Sequence, residues 1–431
     1  MNLRWAGLAV CLLLAVAGLS FGTGCDPCHT CANEGPKPSH KPTPTPTPAP
    51  NACLPSSSLS VLVQSTNATA YVPDGNWEGG TAGVEVVPIE TSGGIGTGGA
   101  PTSVTTGSVP NSCSSNSDTG ETVCVGNNTD VFIINGTTLT TTLTSGATGT
   151  QSFSGGDCMN CGVVVDSSTN KALITLGLSS GGPGGYQFLD LTGNTFETAI
   201  PAGTETSEDA SIDPTRHLVL SPNEANNYQI LNTSGTPALF NNVVSGVEGE
   251  FDSAAEDCST GIALSTIEGT GDLYLADLTQ AIFTPGTPGT WTDTGAQVMN
   301  FPEFDTFSAG TCGIAVAPGT HLAVVAGEFG GNIEGVVQLP STSGSGVPAA
   351  VDWVAFTMPN LASGTPWSEG FDPHTVTAYV SPNSHKAYAV MANDDFSFLA
   401  VVDLQGLLSA SRTGHVVNNP LPAGLVTYIA E

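Results

Sequence analysis

Seven copies of one phrase run along this chain: a short hydrophobic run, a turn, a second run, a gap and a third run. The second runs are Ala68–Val72, Asp130–Ile134, Lys171–Thr175, His217–Ser221, Gly261–Ser265, His321–Val325 and Lys386–Val390. A recurring unit of about 40–65 residues made of short β-runs is typical of a β-propeller, in which each copy forms one blade. The repeat therefore predicts seven blades.

The residues within and between these runs are typical of strands and turns. The runs are rich in Val, Ile, Leu, Thr and Tyr, whereas Gly, Asn, Asp, Ser and Pro bound them. We therefore predict an all-β fold, a seven-bladed propeller of four-stranded antiparallel blades. Because ring closure removes exposed sheet edges, we also expect either Leu59–Val63 or Val426–Ile429 to cross over and complete a neighbouring blade.

Residues 1–24 have the pattern of an export signal. Arg4 supplies the positive start, and Ala9–Ala17 supplies an apolar core that is short for a membrane span. The Gly22-Thr-Gly-Cys25 junction resembles a bacterial lipoprotein processing site, although that pattern has Leu or a similar residue where Gly22 stands. Lipidation at Cys25 and ordinary signal cleavage nearby both stay open.

The segment that follows contains Cys25-Asp-Pro-Cys28-His29 and then Cys31. Cys-x-x-Cys-His is the attachment motif of c-type haem. Here it lies at the presumed processing site and leads directly into a proline-rich segment, with no apolar sequence around it to bury a porphyrin. The context favours a disulfide-linked or metal-binding Cys cluster over haem at Cys25, Cys28 and His29. Haem and lipid would also exclude one another at Cys25.

Alternating prolines between Pro36 and Pro50 predict a spacer. Such a sequence adopts an extended polyproline conformation of about 3.1 Å per residue and is semi-rigid. The predicted organisation is therefore a signal peptide (1–24), a Cys cluster and Pro/Thr-rich tether (25–56) and the propeller (57–431). We expect an exported protein of the cell envelope, in the periplasm or on the outer surface, and held to a membrane only through the lipid anchor, if there is one.

The charge of the chain excludes several classes of partner. It has 38 acidic residues against seven Lys plus Arg, a formal net charge of −31. Nucleic-acid binding needs clustered Lys and Arg to neutralise phosphates, and the same holds for anionic lipid surfaces. We expect a monomer with a small molecule or an envelope protein as its partner. Converging carboxylates would also suit Ca²⁺, which prefers hard oxygen ligands.

Acidic residues recur just before the inner runs of blades four to seven. In a propeller, the loops that lead into the inner strands lie on one face, around the mouth of the central channel. Their mutual repulsion favours a cation or a basic ligand there, and turn chemistry is the alternative explanation. The candidate residues are Glu208, Asp209, Glu250, Asp252, Glu303, Asp305, Glu369, Asp372 and His374, with Asp252, Asp305 and Asp372 as candidate metal ligands.

The remaining cysteines suggest disulfides, which export makes the default expectation. Cys113 and Cys124 flank a polar loop and would form a short disulfide. Cys158 and Cys161 would form a local disulfide or a metal clip, since the redox reading of this motif needs a βαβ context that is absent. Cys258 and Cys312 belong to adjacent blades and are a third candidate pair.

The blade phrase resembles that of the YVTN and lactonase-like β-propeller superfamily. Blade seven is the best match, with Asp372-Pro-His374 before its inner strand and Ala400–Leu404 at its end. The resemblance covers residues 57–431, with blades one and two degenerate. Its members include sugar lactonases, redox-enzyme subunits and envelope proteins, so it implies a fold more than an activity.

These observations favour a non-catalytic envelope propeller that binds a ligand or a protein partner. The alternative is a lactonase-type hydrolase that uses Ca²⁺ held by the carboxylates at the channel mouth. A third hypothesis is an electron-transfer component that uses the N-terminal Cys-x-x-Cys-His motif.

Overall fold

The computed structural model describes residues 37–41, 59–74, 82–126, 128–147, 159–177, 184–202, 209–223, 227–240, 251–267, 270–291, 297–300, 311–327, 333–342, 349–358, 375–393 and 396–430. The strands in these ranges form seven sheets. The innermost strand of each sheet contacts the innermost strands of both neighbouring sheets, so the sheets close into a ring. The chain is therefore a seven-bladed β-propeller, as the repeat predicted.

The first three blades follow one another along the chain. Blade 1 has β2 (Ser60–Gln64), β3 (Asn67–Asp74), β4 (Gly83–Thr91) and β6 (Thr102–Thr105), with β5 (Gly94–Ile95) also paired to β4 and β1 (Lys37–Lys41) parallel to β2. Blade 2 has β7 (Pro110–Ser115), β8 (Glu121–Gly126), β9 (Asp130–Asn135) and β10 (Thr138–Thr144). Blade 3 has β11 (Asn160–Asp166), β12 (Lys171–Leu176) and β13 (Gly185–Asp190), with β14 (Thr195–Phe196) and β15 (Ile200–Pro201) sharing the outer edge.

The last four blades repeat the same order from the inside of the ring outwards. Blade 4 has β16 (Ser211–Asp213), β17 (Leu218–Asn223), β18 (Asn227–Asn232) and β19 (Ala238–Leu239). Blade 5 has β20 (Phe251–Asp257), β21 (Ile262–Ile267), β22 (Asp272–Asp277) and β23 (Gln297–Asn300). Blade 6 has β24 (Thr311–Ala317), β25 (Leu322–Gly327), β26 (Ile333–Gln338) and β27 (Asp352–Thr357), extended by β32 (Val416–Val417) and β31 (Arg412–Thr413). Blade 7 has β28 (Thr375–Val380), β29 (Ala387–Asn393), β30 (Phe396–Asp403) and β33 (Val426–Ala430).

The described helices are single turns. One is a 3₁₀ turn at Leu278–Gln280, and the other is α1 (Leu404–Leu408). Asp277 and Asp403 cap them by accepting hydrogen bonds from backbone N–H groups, as Asp prefers to do at a helix start. Within the described part of the chain, no helix has the length and apolar character needed to cross a membrane.

The strands read as continuous hydrophobic runs because each blade is covered on both faces by its neighbours. β11, β21 and β25 are buried at every position. The outer strand β10, by contrast, alternates between exposed and half-buried residues. A strand that is buried on both faces has no polar side, so it loses the alternation that a half-exposed strand shows.

The hydrophobic core is divided among the interfaces between blades. Seven clusters of buried apolar residues occur, and each joins two neighbouring blades. The largest side chains that are fully buried include Tyr71, Tyr186, Tyr274 and Tyr379, which lie in blades 1, 3, 5 and 7. Each blade therefore depends on its two neighbours for burial, which is the general energetic property of repeat architectures.

Every blade passes from its inner to its second strand through a turn with at least one left-handed residue. These residues are Ser65, Gly120, Asn170, His217, Gly261, His321 and His385, with φ between 54° and 78°, and the turn of blade 6 also contains Gly319 at 68°. Gly adopts this conformation freely, and Asn and His are enriched in it among the other residues. We call the end of the ring that carries these turns the turn face. The opposite end, where the chain leads into each inner strand, is the mouth face.

In blade 2 the predicted second strand is wrong, because the predicted run forms the third strand of the blade. Its second strand is β8, and Asp130–Ile134 belongs to the third strand, β9. The inner strand β7 reads Pro-Asn-Ser-Cys-Ser-Ser, so it does not look like a hydrophobic run. Its Ser112 and Ser114 hydroxyls are buried and accept hydrogen bonds from backbone N–H groups of blade 3, at 3.1 and 2.9 Å. The other six second runs coincide with second strands.

The predicted strand crossover is also wrong. Among the described strands, β2 is the first main strand of blade 1, and β33 is the outer strand of blade 7, after β28, β29 and β30. The chain makes an excursion between β30 and β33, in which β31 and β32 extend blade 6 before the chain returns to its own blade. Blades 7 and 1 are joined instead by packing and by side-chain hydrogen bonds.

Most of the predicted export signal and tether lies outside the described residues, including Arg4, Cys25, Cys28 and His29. The described exception is β1, which pairs with β2 from Lys37 opposite Ser60 to Lys41 opposite Gln64. β1 also contacts the inner strands of blades 7 and 2. It therefore lies on the channel side of blade 1.

Candidate functional site

Two of the nine candidate residues at the mouth face are described, and both lie at the start of an inner strand. Asp209 precedes β16 of blade 4, and Asp252 is the second residue of β20 in blade 5. Both are buried, with 8% and 3% exposure. The other seven lie outside the described residues: Glu208, Glu250, Glu303, Asp305, Glu369, Asp372 and His374.

The carboxylate of Asp209 lies against the inner strand of blade 3. A Cβ added to Gly162 would be only 2.4 Å from Asp209 Oδ1, so no other residue fits at position 162 without a shift. Gly162 sits where the pairing of β11 with β12 shifts register. Asp209 therefore spans the interface between blades 3 and 4 at the mouth face.

Asp252 lies in a β-bulge. The pairing of β20 with β21 shifts register between Phe251 and Ala254. Within the bulge, the Ser253 hydroxyl donates to Asp252 Oδ2 at 3.3 Å, and the Ser253 N–H donates to Thr266 Oγ1 at 3.0 Å. A bulge re-aims the side chains that it carries, and bulges are frequent beside active sites.

The same irregularity recurs at the mouth end of other inner strands. Register shifts occur at Pro110/Ser112 in blade 2, at Asn160/Gly162 in blade 3 and at Thr311/Ile314 in blade 6. In blade 2 the shift contains Asn111, whose amide donates to the backbone carbonyls of Asn160 and Cys161, at 3.1 and 2.6 Å. The geometry is therefore repeated while the side chain changes, so functional differences between blades can arise at this position.

The described residues contain no group of three or more His, Cys, Asp or Glu side chains arranged to hold a metal ion. Of the three candidate ligands, Asp252 alone is described, and Asp305 and Asp372 are not. A calcium ion takes six to eight oxygen ligands, so Asp252 would supply only part of such a site. The metal site at the mouth face stays a prediction.

One predicted disulfide is confirmed. Cys113 and Cys124 lie directly opposite each other on β7 and β8 and are bonded, with a Cα–Cα distance of 4.0 Å. Cys161 and Cys258 are also disulfide-bonded. Cys158 and the side chain of Cys312, their predicted partners, lie outside the described residues, so these two pairings stay predictions.

The turn face carries polar contacts that the sequence analysis did not identify. Between blades 4 and 5, the buried carboxylate of Asp213 accepts from Arg216 Nη1 at 2.6 Å, and the same nitrogen donates to the carbonyl of Cys258 at 2.7 Å. Glu256 lies in the same interface, at 1% exposure. Burial raises the pKa of Glu256 well above its usual value, the charge of Asp213 raises it further, and Arg216 opposes both effects.

Between blades 5 and 6, Asp257, Ser259 and His321 form a cluster whose residue types are those of a hydrolase triad. His321 Nδ1 contacts Asp257 Oδ2 at 2.6 Å and Ser259 Oγ at 3.3 Å, and the Ser259 hydroxyl donates to Asp257 Oδ1 at 2.5 Å. In a catalytic triad, the serine and the aspartate bind different imidazole nitrogens. Here both share Nδ1, so the cluster cannot relay a proton from the serine and is an interblade contact.

A further buried carboxyl joins blades 7 and 1. Glu90 of β4 accepts hydrogen bonds from Ser381 Oγ at 2.6 Å, Asn383 Nδ2 at 2.8 Å and Tyr379 Oη at 3.1 Å. The sequence does carry a signal for the turn-face acids, because Asp166, Asp213 and Asp257 all end inner strands. Glu90 has no such signal, because it lies in a third strand.

Comparison with known proteins supports the fold and nothing finer. No family model and no curated protein matches the sequence. By fold, 812 chains of solved structures match. One is a functionally unknown protein from Desulfotomaculum acetoxidans DSM 771, with 13% identity over 86% of this chain and 99% of that one and a TM-score of 0.50. Another is U3-55K, with 9% identity over 85% and 92% and a TM-score of 0.46.

The sheet topology defines the protein as a seven-bladed β-propeller. The match to the Desulfotomaculum acetoxidans protein shows that this overall fold occurs among solved structures. The finer resemblance to the YVTN and lactonase-like superfamily has no support from a sequence match. Because so many chains share this fold, it carries little functional information, and function has to be argued from the charges and the site.

Proposed function

We propose that the protein is an exported propeller, tethered to the cell envelope, that binds a cationic ligand or a basic segment of a protein partner at its mouth face. The proposal combines the N-terminal sequence, the excess of carboxylates and the position of Asp209 and Asp252. It describes a binding scaffold and requires no catalysis.

The proposal depends most on one observation, which is that the basic residues of the propeller are already paired with its own carboxylates. Beyond residue 57 the chain has four Lys and Arg residues, and each forms an ion pair with a carboxylate of the propeller itself. The pairs are Lys171–Glu197, Arg216–Asp213, Lys386–Asp403 and Arg412–Asp352. The remaining carboxylates therefore face no free Lys or Arg in this part of the chain, and the resulting field attracts cations and repels anions.

The position of the described mouth-face carboxylates supports the location. Asp209 and Asp252 lie at the start of the inner strands of adjacent blades. The sequence predicts that further acidic residues lie at the same face. Carboxylates grouped in this way repel one another, and a bound cation relieves that repulsion. A basic partner would therefore gain affinity at the mouth face from charges that destabilise the free protein.

The disulfides support export. The bond between Cys113 and Cys124, together with the bonded states of Cys161 and Cys258, fits an oxidising compartment such as the periplasm or the cell surface. The intact mass of protein purified from a bacterial membrane fraction tests the tether. A diacylglyceryl adduct at Cys25 supports it, and a chain that starts elsewhere without lipid argues for free secretion.

Calorimetry with an octalysine peptide tests the binding function. We expect binding that weakens by about tenfold or more between roughly 20 and 200 mM salt, because the attraction is electrostatic. At a given salt concentration, Asp252→Asn should bind the peptide more weakly than the wild type does. The matched control is Asp118→Asn, at an exposed position on the turn face, which should leave affinity unchanged. Absence of binding at low salt, or an equal loss for both variants, would contradict the proposal.

Thermal stability and lactone turnover of the same protein test the hydrolase alternative. If Ca²⁺ and EDTA leave thermal stability unchanged and no lactone is turned over, the binding scaffold stands. If a lactone is hydrolysed and Asp252→Asn and Asp372→Asn abolish turnover, the function is catalytic instead.

A further inference from the structure

One interface of the ring joins two blades that are not consecutive in the sequence. Blades 1 to 7 follow one another along the chain, so each of six interfaces joins blades that are consecutive in sequence. Blade 7 and blade 1 are the two ends, and among the described strands none is exchanged between them. We call their contact the closing interface. Among the described residues, the contacts that hold it are noncovalent.

The polar part of the closing interface is concentrated on one carboxylate. Glu90 is 2% exposed, and its three hydrogen bonds all come from the end of β28 and the turn that follows it in blade 7. Hydrogen bonds to a carboxylate are roughly twice as strong as those between neutral groups. Separation of the two blades would therefore break all three together.

Asn383 adds a second set of contacts at the same place. Its amide also donates to the backbone carbonyls of Thr66 and Thr91, at 2.8 and 2.9 Å. Thr66 lies in the first turn of blade 1, and Thr91 ends β4. One turn of blade 7 is thus bonded to two separate segments of blade 1.

The interface between blades 2 and 3 distributes its polar contacts differently. Between blades 2 and 3, the inner strands are joined at successive positions by the hydroxyls of Ser112 and Ser114, which accept from Val163 and Val165. Loss of one such bond leaves the next in place. The closing interface has no comparable series among the hydrogen bonds described, apart from the contacts of Glu90 and Asn383.

We propose that the ring opens at the closing interface before any other and that Glu90 holds this interface shut. Two independent features lead to this inference: the absence of a covalent link between blades 7 and 1 among the described residues, and the convergence of their polar contacts on one residue. The apolar cluster shared by the two blades adds to the attraction, as does β1, which pairs with β2 and contacts β28. Opening there leaves the other six interfaces intact.

Native-state hydrogen exchange on the full chain, followed by peptide mass spectrometry at rising sub-denaturing urea, tests the order of opening. We expect the amides of β28 and of β2 to β4 to exchange through one shared opening, while blades 3 to 5 stay protected. If another interface opens first, or if all seven blades exchange together, the proposal is wrong. This measurement needs no variant.

Glu90→Gln tests the role of the carboxylate. It keeps the size of the side chain but removes the charge and places an amide donor among three donors. We expect exchange at the closing interface to rise about tenfold or more, with little change in blades 3 to 5. Glu85→Gln, on the same strand but half-exposed, is the matched control and should leave exchange unchanged.

A uniform increase over all blades, or no increase, would exclude Glu90 from this role. If Glu90→Gln does not fold, Tyr379→Phe removes a single donor to Glu90 and should give a smaller increase at the same peptides. An increase elsewhere would again overturn the proposal.

Discussion

The closing interface and the interface between blades 4 and 5 both bury a carboxyl group, and they stabilise it by different means. Glu90 at the closing interface is surrounded by a serine hydroxyl, an amide and a phenol. Burial and the neighbouring Glu90 raise the pKa of Tyr379 well above 10, so the phenol stays protonated and keeps donating. Here the desolvation of the carboxylate is offset by directional hydrogen bonds.

Between blades 4 and 5, two buried carboxyl groups lie near one guanidinium. Arg216 pairs with Asp213. Burial and the charge of Asp213 disfavour the ionised form of Glu256, and hydrogen bonds with Ser211 and the Leu220 backbone offset this only in part. A buried acid beside a second negative charge is stabilised by keeping its proton. The comparison shows that two interfaces of similar architecture can stabilise a buried carboxyl group by different means.

The largest expected effect is from Glu90→Leu. This change leaves the Tyr379, Ser381 and Asn383 donors at the closing interface without their acceptor. We expect a loss of about 3–5 kcal/mol in the free energy of unfolding, because buried donors then lack partners. Urea denaturation measures it. Glu85→Leu on the same strand should change stability by about 0.5 kcal/mol or less, and an equal loss in both variants would remove the special role of Glu90.

The second effect is from Arg216→Met, which removes the cation between blades 4 and 5. We expect a loss of about 2–4 kcal/mol near neutral pH, because Asp213 stays buried without its charge partner. Arg216→Lys should recover only part of it, since a single ammonium group cannot match the geometry of the guanidinium toward Asp213 and the Cys258 carbonyl. Full recovery by lysine would show that charge alone matters there.

The third effect is on pH dependence. Glu256 has a pKa above that of an unfolded glutamate, so the folded state binds its proton more tightly. Above the ordinary carboxyl pKa, the unfolded chain has lost this proton and the folded chain still holds it. Glu256 therefore makes the free energy of unfolding fall as pH rises, by at most about 1.4 kcal/mol per pH unit. Its contribution is complete below the unfolded pKa and is lost as pH rises through the folded one.

Glu256→Gln should therefore flatten that slope, and the variant should equal or exceed the wild type in stability at pH 7–8. Unfolding curves recorded from about pH 4.5 upward measure the difference. An unchanged slope in the variant would show that Glu256 is ionised in the folded protein.

The smallest effect concerns the interface between blades 5 and 6. The side chain of His321 is 23% exposed, and Asp257 is buried. We expect His321→Asn to cost about 1 kcal/mol through the lost hydrogen bond to Asp257. His385→Asn is the matched control. His385 has a φ of 58°, His321 has a φ of 57°, and the side chain of His385 is exposed. Equal losses in both variants would trace the effect to the backbone.

Much of the architecture could be predicted from the residues. The hydrophobic runs and their turns predicted seven blades, and six of the seven second strands lie where they were expected. The disulfide between Cys113 and Cys124 was also predicted from a short polar loop between two strands. The exception in blade 2 has a local reason, since its inner strand is polar and its serines bond to the next blade.

The contacts between blades could not be predicted in the same way. Glu90 and Tyr379 are separated by 289 residues, and nothing near either residue indicates that they meet. The failure of the predicted strand crossover has the same origin. Closed rings need their ends joined, but the sequence does not say whether a strand or a set of side chains joins them.

The sequence by itself determined the number of blades and, outside blade 2, the positions of their first turns, because these depend on short hydrophobic runs and on the turn residues between them. The tertiary structure alone decided which polar residues meet across the interfaces, where Glu90 finds three donors and Glu256 finds a second acid. Those pairings depend on how the blades stack around the ring. Local propensity does not contain that information, because residues far apart in the chain become neighbours only when the ring closes.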